Sequence, residues 1–258
     1  MDESDVVITS LGPVPSVIDA AIQVMESKTR KICEHFVVMR LKNDVDPQQE
    51  AEMLDVLWSL QFHFDTILAL SIGKLVKEKE GWTHALHIRF ESKEAWDAYL
   101  NHPILKETEI HCQQWLQDVM SIGFEADVDN HAESIHQNGK SFENGTLEHV
   151  LCMEIRADTS PEQLREMEEA VGGMPGELGP SIIVQFTRGP IINASNCHFT
   201  YALMARLTSG DALKQYVDHP YHQKISNSKV RSICSTALSF DYVVDARSRK
   251  RKGIYGAQ

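Results

Sequence analysis

Short apolar segments of strand length recur along the chain, and between them the apolar residues fall three and four positions apart. The segments 34–42 and 148–156 read "EHFVVMRLK" and "EHVLCMEIR", and both are apolar at odd and at even positions, which indicates buried strands. Further strands are predicted near residues 66–76, 82–90, 117–126, 181–187, 198–207 and 233–244. The hydrophobic pattern therefore predicts the same set of strands in each half of the chain.

Helices are predicted between these strands because each apolar stripe follows a helix start signal. Asp46 and Ser160 each stand before a proline and three residues before a glutamine, a combination that caps the first free amides of a helix. Second helices are predicted to begin at Ser92 and Ser209 and to end at a His-Pro pair, since the residue before proline avoids the helical region. The apolar faces of the first helices comprise Met53, Leu57, Leu60, Leu164, Met167 and Val171.

The chain repeats itself, with matching residues in the same order in both halves. The segment "YLNHP" at 99–103 returns as "YVDHP" at 216–220, and the two strands quoted above share Glu, His and Met at matching positions. The Gly-Pro-rich stretch 172–180, "GGMPGELGP", is the natural place for the extra residues of the second half. Each half is thus predicted to fold in the ferredoxin-like order β-α-β-β-α-β, with antiparallel pairing.

A four-stranded sheet with helices on one face leaves its other face bare. The first strand of each half is apolar on both faces. Exposing one face to water would therefore cost roughly 25 cal/mol of folding free energy for each Å². We therefore predict an α+β fold in which the tandem repeats pack face to face within one chain, as an internal pseudo-dimer. The predicted boundaries are a leader at 1–30, a first domain at 31–126, a linker at 127–146, a second domain at 147–245 and a basic tail at 246–258.

Composition and charge narrow the classes of function. The 258 residues are 42% hydrophobic and 24% charged, as in ordinary globular proteins. The formal net charge of −12 argues against a nucleic-acid partner, because binding to phosphates depends on cationic side chains. No stretch is long and apolar enough for a membrane span, and the start "MDESD" lacks the basic region of a signal peptide. The five cysteines include no CxxC pair, which fits a reducing compartment, so a cytoplasmic location is expected.

The repeated segments resemble the stress-response A/B barrel (Dabb) family in its plant tandem form. The resemblance is carried by "EHFVVMRLK", "EHVLCMEIR", "GWTHALHIRFES", "YLNHP" and "YVDHPYH", and covers roughly residues 32–126 and 147–245. It implies a dimeric α+β barrel, closed here by the two halves of one chain. It also implies a role in stress or in defence against fungi. Many members of the family have no established reaction. One relative, olivetolic acid cyclase, closes a linear polyketide by aldol condensation with a tyrosine and a histidine.

That resemblance makes Tyr216 and His222 the candidate catalytic pair. An aldol closure needs a base, which histidine can supply near neutral pH, and a proton donor, which tyrosine can supply. In the first half Tyr99 stands at the tyrosine position, but Leu105 replaces the histidine, so only the second half has the complete pair. By the same resemblance, the residues expected to line the ligand cavities are His35, His84, Tyr99, His149 and Tyr201.

Structural roles compete with these chemical ones. Tyr99 and Tyr216, like His102 and His219, recur in both halves, which favours a structural role for them. His35 and His149 lie on apolar strands, where satisfied core histidines are more common than bases. Cys112 and Cys197 adjoin histidines but lack an orienting third residue, so buried thiols are expected rather than nucleophiles. A metal site at His84, His87 and His111 is not expected.

Two functions of different class follow from the sequence. The preferred one is a non-enzymatic stress or defence protein that binds a small hydrophobic ligand in a barrel cavity. The alternative is a polyketide cyclase-like lyase that acts through Tyr216 and His222 on a polyketide-like substrate. Neither requires a cofactor, a nucleic acid or a membrane, and further homodimerisation beyond the internal pseudo-dimer is left open.

Overall fold

The computed structural model describes residues 29–129 and 145–245, which form a closed barrel of eight strands. The strands of the first half are β1 (Thr29–Leu41), β2 (Ile67–Lys79), β3 (Trp82–Phe90) and β4 (Leu116–Asp129). Those of the second half are β5 (Leu147–Ile155), β6 (Ile183–Ser195), β7 (Tyr201–Leu207) and β8 (Cys234–Val243). The predicted α+β fold, with two ferredoxin-like repeats closed into one barrel, is confirmed.

Helices cover the outside of each half. The first half contains α1 (Pro47–Ser59), a 3₁₀ turn at Leu60–Phe62, α2 (Lys93–Leu100) and α3 (Pro103–Cys112). The second half contains α4 (Pro161–Gly172), α5 (Met174–Leu178), α6 (Gly210–Asp218), α7 (Pro220–Ile225), a π-helical turn at Ser226–Val230 and α8 (Arg231–Ile233). Within the described ranges, no helix is long and apolar enough to cross a lipid bilayer.

The barrel closes because the two sheets join along two equivalent seams. Its strand order is β1-β3-β2-β8-β5-β7-β6-β4, with β4 pairing back to β1 and every neighbouring pair antiparallel. The seams are β2 with β8 and β4 with β6. Each brings a glycine against a backbone carbonyl, Gly73 against Val243 and Gly189 against Glu125, where a Cβ atom would collide. The two halves therefore meet through close backbone contact.

Side chains from both halves fill the interior of the barrel. Phe36 and Val38 of β1 belong to one buried cluster with Val150 and Cys152 of β5. Phe36 also lies with its ring centroid 5.8 Å from that of Phe240. The alternate positions of the same strands pack instead against the helices, in a separate cluster for each half. The apolar faces thus cover each other as the sequence predicts, and the interior is a packed core.

A network of buried charges crosses the centre of the barrel. Arg89 Nη2 donates to Glu34 Oε1 at 2.6 Å, and Arg206 Nε donates to Glu148 Oε1 at 2.9 Å, so each half has its own pair. Each glutamate also accepts from the opposite half, since the hydroxyl of Thr187 donates to Glu34 at 2.9 Å and that of Ser71 to Glu148 at 3.1 Å. Burial alone would raise the pKa values of both glutamates, but the paired arginines and His87 hold them below their usual range.

Several predicted elements have different bounds in the structure. β1 begins at Thr29, ahead of the predicted domain start at residue 31, and β4 continues to Asp129, into the stretch predicted as linker. The two capping boxes, at Asp46 and at Ser160, are both confirmed. Residues 1–28 of the leader and 130–144 of the linker, together with the basic tail at 246–258, lie outside the described residues.

The helices α3 and α7 were missing from the prediction. The prolines do end the helices before them, but each also occupies the first turn of a new helix. The preceding histidine is the N-cap: Ile104 N donates to His102 Nδ1 at 3.2 Å, and Tyr221 N donates to His219 Nδ1 at 3.3 Å. This gives His102 and His219 the structural role that their recurrence in both halves favours.

Candidate functional site

The first half contains a cavity of about 470 Å³ between its helices and the outer face of the sheet. Its walls combine strand residues such as Val37 and Leu86 with helix residues such as Leu57 and Leu105. Ser195, at the end of β6, adds a contribution from the second half. This cavity lies on the helix side of the sheet and not in the barrel interior, which aromatic and aliphatic side chains pack.

His35 and Tyr99 lie together on the wall of this cavity, as the sequence predicts. The ring of His35 is 5% exposed and lies with its centroid 6.1 Å from that of Tyr99 and 5.5 Å from that of Trp96. Burial lowers the pKa of His35 to about 4, although a hydrogen bond with the backbone of Ile122 opposes the shift. Its Nδ1 atom has no hydrogen-bond partner among the described residues. At neutral pH the cavity therefore has a neutral imidazole on its wall.

The mouth of the cavity is polar, whereas its depth is apolar. Thr108, Glu109 and Gln113 of α3 and the neighbouring segment line one side, and Gln117 and Asp118 of β4 line the other. Such an arrangement is typical of small-molecule sites, in which apolar walls bury the ligand and a few polar groups orient it.

In the second half, Tyr216, His222 and His149 form one contact cluster. The ring centroid of Tyr216 is 4.6 Å from that of His222 and 5.1 Å from that of His149. His222 Nδ1 donates to the carbonyl of Val217 at 3.2 Å, which leaves Nε2 as the acceptor, 3.4 Å from the hydroxyl of Ser226. Burial, and then the neighbouring His149, lower the pKa of His222. The sequence-derived pair therefore does lie together, with an imidazole that remains neutral at neutral pH.

Asp241 adds a carboxylate to this cluster, and sequence reasoning missed it. His149 Nδ1 donates to Asp241 Oδ1 at 2.7 Å, because the two residues are register partners on β5 and β8. The register partner of His35 in the first half is Gly123, and the ring of Trp96 occupies the space where a side chain at that position would begin. The signal in the sequence is the difference between the final strands of the two repeats, which carry Gly in one copy and Asp in the other.

The hydroxyl of Tyr216 is covered by protein. It contacts Met174 Sδ at 3.4 Å, and both residues are 1% exposed. Tyr221 closes the same side, since its hydroxyl donates to the carbonyl of Ala170 at 3.0 Å. Burial raises the pKa of Tyr216, which keeps the phenol protonated. A substrate could reach this hydroxyl only after Met174 had moved.

His84 and Tyr201, the two remaining predicted cavity residues, lie in different parts of the molecule. His84 lines a separate polar cavity of about 450 Å³ near the start of α1, with its Nε2 atom 3.1 Å from Glu50 Oε1. Burial lowers its pKa, and the hydrogen bond to Glu50 counteracts part of that shift. Tyr201 belongs to the helix-facing cluster of the second half, which also contains Tyr216, and burial, and then Glu168, raise its pKa.

Cys112, Cys197, His87 and His111 lie in separate surroundings. Burial raises the pKa of Cys112 to about 11 and also raises that of Cys197, which disfavours the reactive thiolate. His87 contacts Glu34 inside the barrel, while His111 makes an edge-to-face contact with Trp115 outside it. Among residues 29–129 and 145–245, no group of three or more suitable ligands is placed to hold a metal ion.

The cavity-lining residues of α3 were also missed by sequence reasoning. Leu105, Glu109 and Cys112 line the first cavity because α3 folds across it. The signal was present in the spacing of Leu105, Glu109 and Cys112, which are four and three residues apart and therefore share one helical face. The His-Pro pair was interpreted as an end and not also as a beginning.

Comparison with known proteins supports the fold and the repeat. A curated stress-response A/B barrel domain-containing protein from Arabidopsis thaliana is 24% identical over 245 residues, which cover 89% of this chain and 86% of that protein. Among solved structures, a predicted monooxygenase from Fusobacterium nucleatum aligns with a TM-score of 0.61 at 12% identity and covers 83% of this chain and 93% of its own. An anthrone oxidase-like protein aligns with a TM-score of 0.55 at 12% identity over 85% of this chain and 92% of its own. At such identities these structures show a shared fold alone.

The sequence profile of the stress responsive A/B barrel domain matches the chain twice, over residues 33–126 and 147–244. The two matches coincide with the two halves of the barrel and together span most of the chain. This chain belongs to the stress responsive A/B barrel (Dabb) family, in a tandem form.

Proposed function

We propose that this protein is a non-enzymatic, stress- and defence-associated binding protein that holds a small, largely apolar molecule in the cavity of its first half. The observation that carries the proposal is that cavity itself: about 470 Å³, walled by leucines and valines, with the neutral imidazole of His35 on its wall. A cavity of this size lies within the range of small-molecule sites.

The local chemistry supports binding more than catalysis. The pKa of His35 is about 4, so this imidazole is a weak base at neutral pH. Burial raises the pKa of Tyr99, so its phenol holds its proton firmly. Both groups therefore suit hydrogen bonding to a bound molecule. The name of the Arabidopsis thaliana relative supports the association with stress, and the five free cysteines agree with the proposed cytoplasmic location.

The test uses a neutral probe and a variant that fills the cavity. Isothermal titration with 2-naphthylmethanol is expected to give micromolar affinity for the wild type and at least about tenfold weaker binding for Leu105→Trp, because the indole occupies the ligand volume. Val217→Trp is the matched control, since Val217 is 44% exposed on a helix of the second half. Thermal melts of all three proteins establish that each is folded. Equal affinity of Leu105→Trp and wild type, or no binding to either, contradicts the proposal.

Aldol cyclisation at Tyr216 and His222 remains the second candidate function. It is favoured by one observation, the neutral His222 with Nε2 as its acceptor, beside the phenol of Tyr216. The packing of Met174 on the tyrosine hydroxyl opposes it. If this activity exists, a linear polyketide substrate yields a cyclised product with the wild type and none with His222→Ala. If neither protein yields product, this candidate is excluded and the binding proposal is unaffected.

A further inference from the structure

The charges around the first cavity have one sign. Its lining contains the two carboxylates of Glu109 and Asp118 and, among the described residues, neither a lysine nor an arginine. The titratable base on its wall, His35, has a pKa of about 4 and is therefore neutral at neutral pH. A bound carboxylate would meet two negative groups at the mouth and no positive one. A bound ammonium group would instead be attracted by both carboxylates.

The two acids differ in how they are held. Asp118 Oδ1 accepts hydrogen bonds from Val119 N at 2.9 Å and from Asn196 Nδ2 at 2.7 Å, which fixes this carboxylate at one side of the mouth. Glu109 lies opposite, on α3, at a more exposed position. Burial raises the pKa of Glu109, and the neighbouring Lys106 lowers it. A cation at the mouth would be attracted by both carboxylates.

The rest of the cavity lining is apolar and points to an apolar ligand body independently of the acids. Leu57, Leu86 and Leu105 all line the cavity. His35, which is 5% exposed and neutral at neutral pH, lies on the same wall. The cavity thus combines an apolar wall with a negative mouth.

We propose that the first-half cavity selects lipophilic amines, with an apolar, preferably aromatic body inside and a protonated amine at the mouth between Glu109 and Asp118, and that it discriminates against carboxylates. This inference depends on the proposed binding function and specifies its ligand class.

The experiment compares three probes with one skeleton: 2-naphthylmethylamine, 2-naphthylmethanol and 2-naphthoate. Titration of the full chain at pH 7 and low salt is expected to rank them amine, alcohol, carboxylate, with about five- to tenfold between neighbours. The advantage of the amine over the alcohol falls as salt is raised, since screening weakens interactions at an exposed mouth. Leu105→Trp is expected to weaken all three, which ties the binding to the cavity.

Charge-neutral variants locate the selectivity. Glu109→Gln and Asp118→Asn are each expected to reduce the affinity for the amine about threefold or more, leave that for the alcohol unchanged and improve that for the carboxylate. Glu107→Gln is the matched control, because it removes the same charge from the same helix at a residue that does not line the cavity. An equal loss of amine affinity in Glu107→Gln would mean that the effect reflects the net charge of −12 of the whole chain. That result would overturn the inference.

The outcomes separate the two proposals. Binding of the alcohol, with the amine no tighter or the carboxylate equally tight, overturns the inference about amines and leaves the binding function intact. If none of the three probes binds, the proposed function itself fails. Amine binding that persists unchanged in Leu105→Trp contradicts the inference, since the amine would then bind outside the cavity.

Discussion

The histidines at matching positions of the two repeats have different surroundings. His35 and His149 occupy matching positions on the first strand of each repeat, yet one faces Trp96 and Gly123 and the other Asp241. A tryptophan on α2 requires glycine beneath it, which removes the position from which a carboxylate could reach the imidazole. The first half thereby has a neutral ring without a carboxylate partner beside a cavity, whereas the ring of the second half pairs with a carboxylate in a polar cluster. The two repeats therefore differ in local chemistry at this position.

This difference predicts how stability responds to acid. Because burial lowers the pKa of His35 from 6.5 to about 4, the unfolded chain binds a proton between these values and the folded chain does not. The free energy of unfolding therefore rises with pH through this window, and this residue contributes roughly 3 kcal/mol of that rise. In His35→Gln this contribution disappears, so urea unfolding measured from pH 4 to 7 should show a shallower slope than in the wild type.

The control for that measurement is His63→Gln, at an exposed histidine of the same half. Its unfolding free energy should follow the wild-type pH dependence throughout. The slopes are compared and not the absolute values, since glutamine also changes the packing beside Trp96. Parallel curves for His35→Gln and the wild type would show that His35 is protonated in the folded state.

At the scale of elements, the sequence predicts those strands and helices that local interactions determine. The strands and the first helix of each half follow from apolar periodicity and from caps that the structure reproduces hydrogen bond by hydrogen bond. The helices α3 and α7 were missed because their N-cap is a histidine, outside the usual set of serine, threonine, aspartate and asparagine. The first-half cavity depends on α3, so the sequence could not place this cavity either. The contact of His149 with Asp241 depends on strand register, which a single sequence does not specify.

Each of the two capping boxes should contribute to stability. Asp46→Ala and Ser160→Ala each remove the side-chain acceptor for an amide at the third helical position, which costs about 1 kcal/mol of unfolding free energy. Urea denaturation of both variants measures this. Gln48→Ala, in the first turn of α1, is the control, because only its backbone contacts the cap and alanine favours helix. Loss of stability in that control as large as in Asp46→Ala would refute the capping explanation.

At the scale of the whole molecule, the two halves depend on each other in three ways. They share the barrel interior, they exchange hydrogen bonds between Thr187 and Glu34 and between Ser71 and Glu148, and they meet at the two glycine seams. Removing one half would expose an apolar sheet face and leave buried charges without their hydroxyl partners. The internal pseudo-dimer is therefore one cooperative unit, although its repeats have diverged in chemistry.

The seams provide the sharpest test of this dependence. In Gly189→Ala the new methyl group meets the carbonyl oxygen of Glu125, and in Gly73→Ala it meets that of Val243. Relief requires the strands of the two halves to move apart, so each variant should lose about 1–3 kcal/mol of unfolding free energy in urea denaturation. The sign of the change in unfolding free energy is informative, because replacing glycine by alanine where space permits stabilises a protein through its unfolded state. Gly176→Ala, with no atom within 4 Å of its Cβ, serves as that reference and should be neutral or stabilising. Were Gly189→Ala as stable as Gly176→Ala, the halves would not be in close backbone contact at that seam, and the closure of the barrel between β4 and β6 would have to be abandoned.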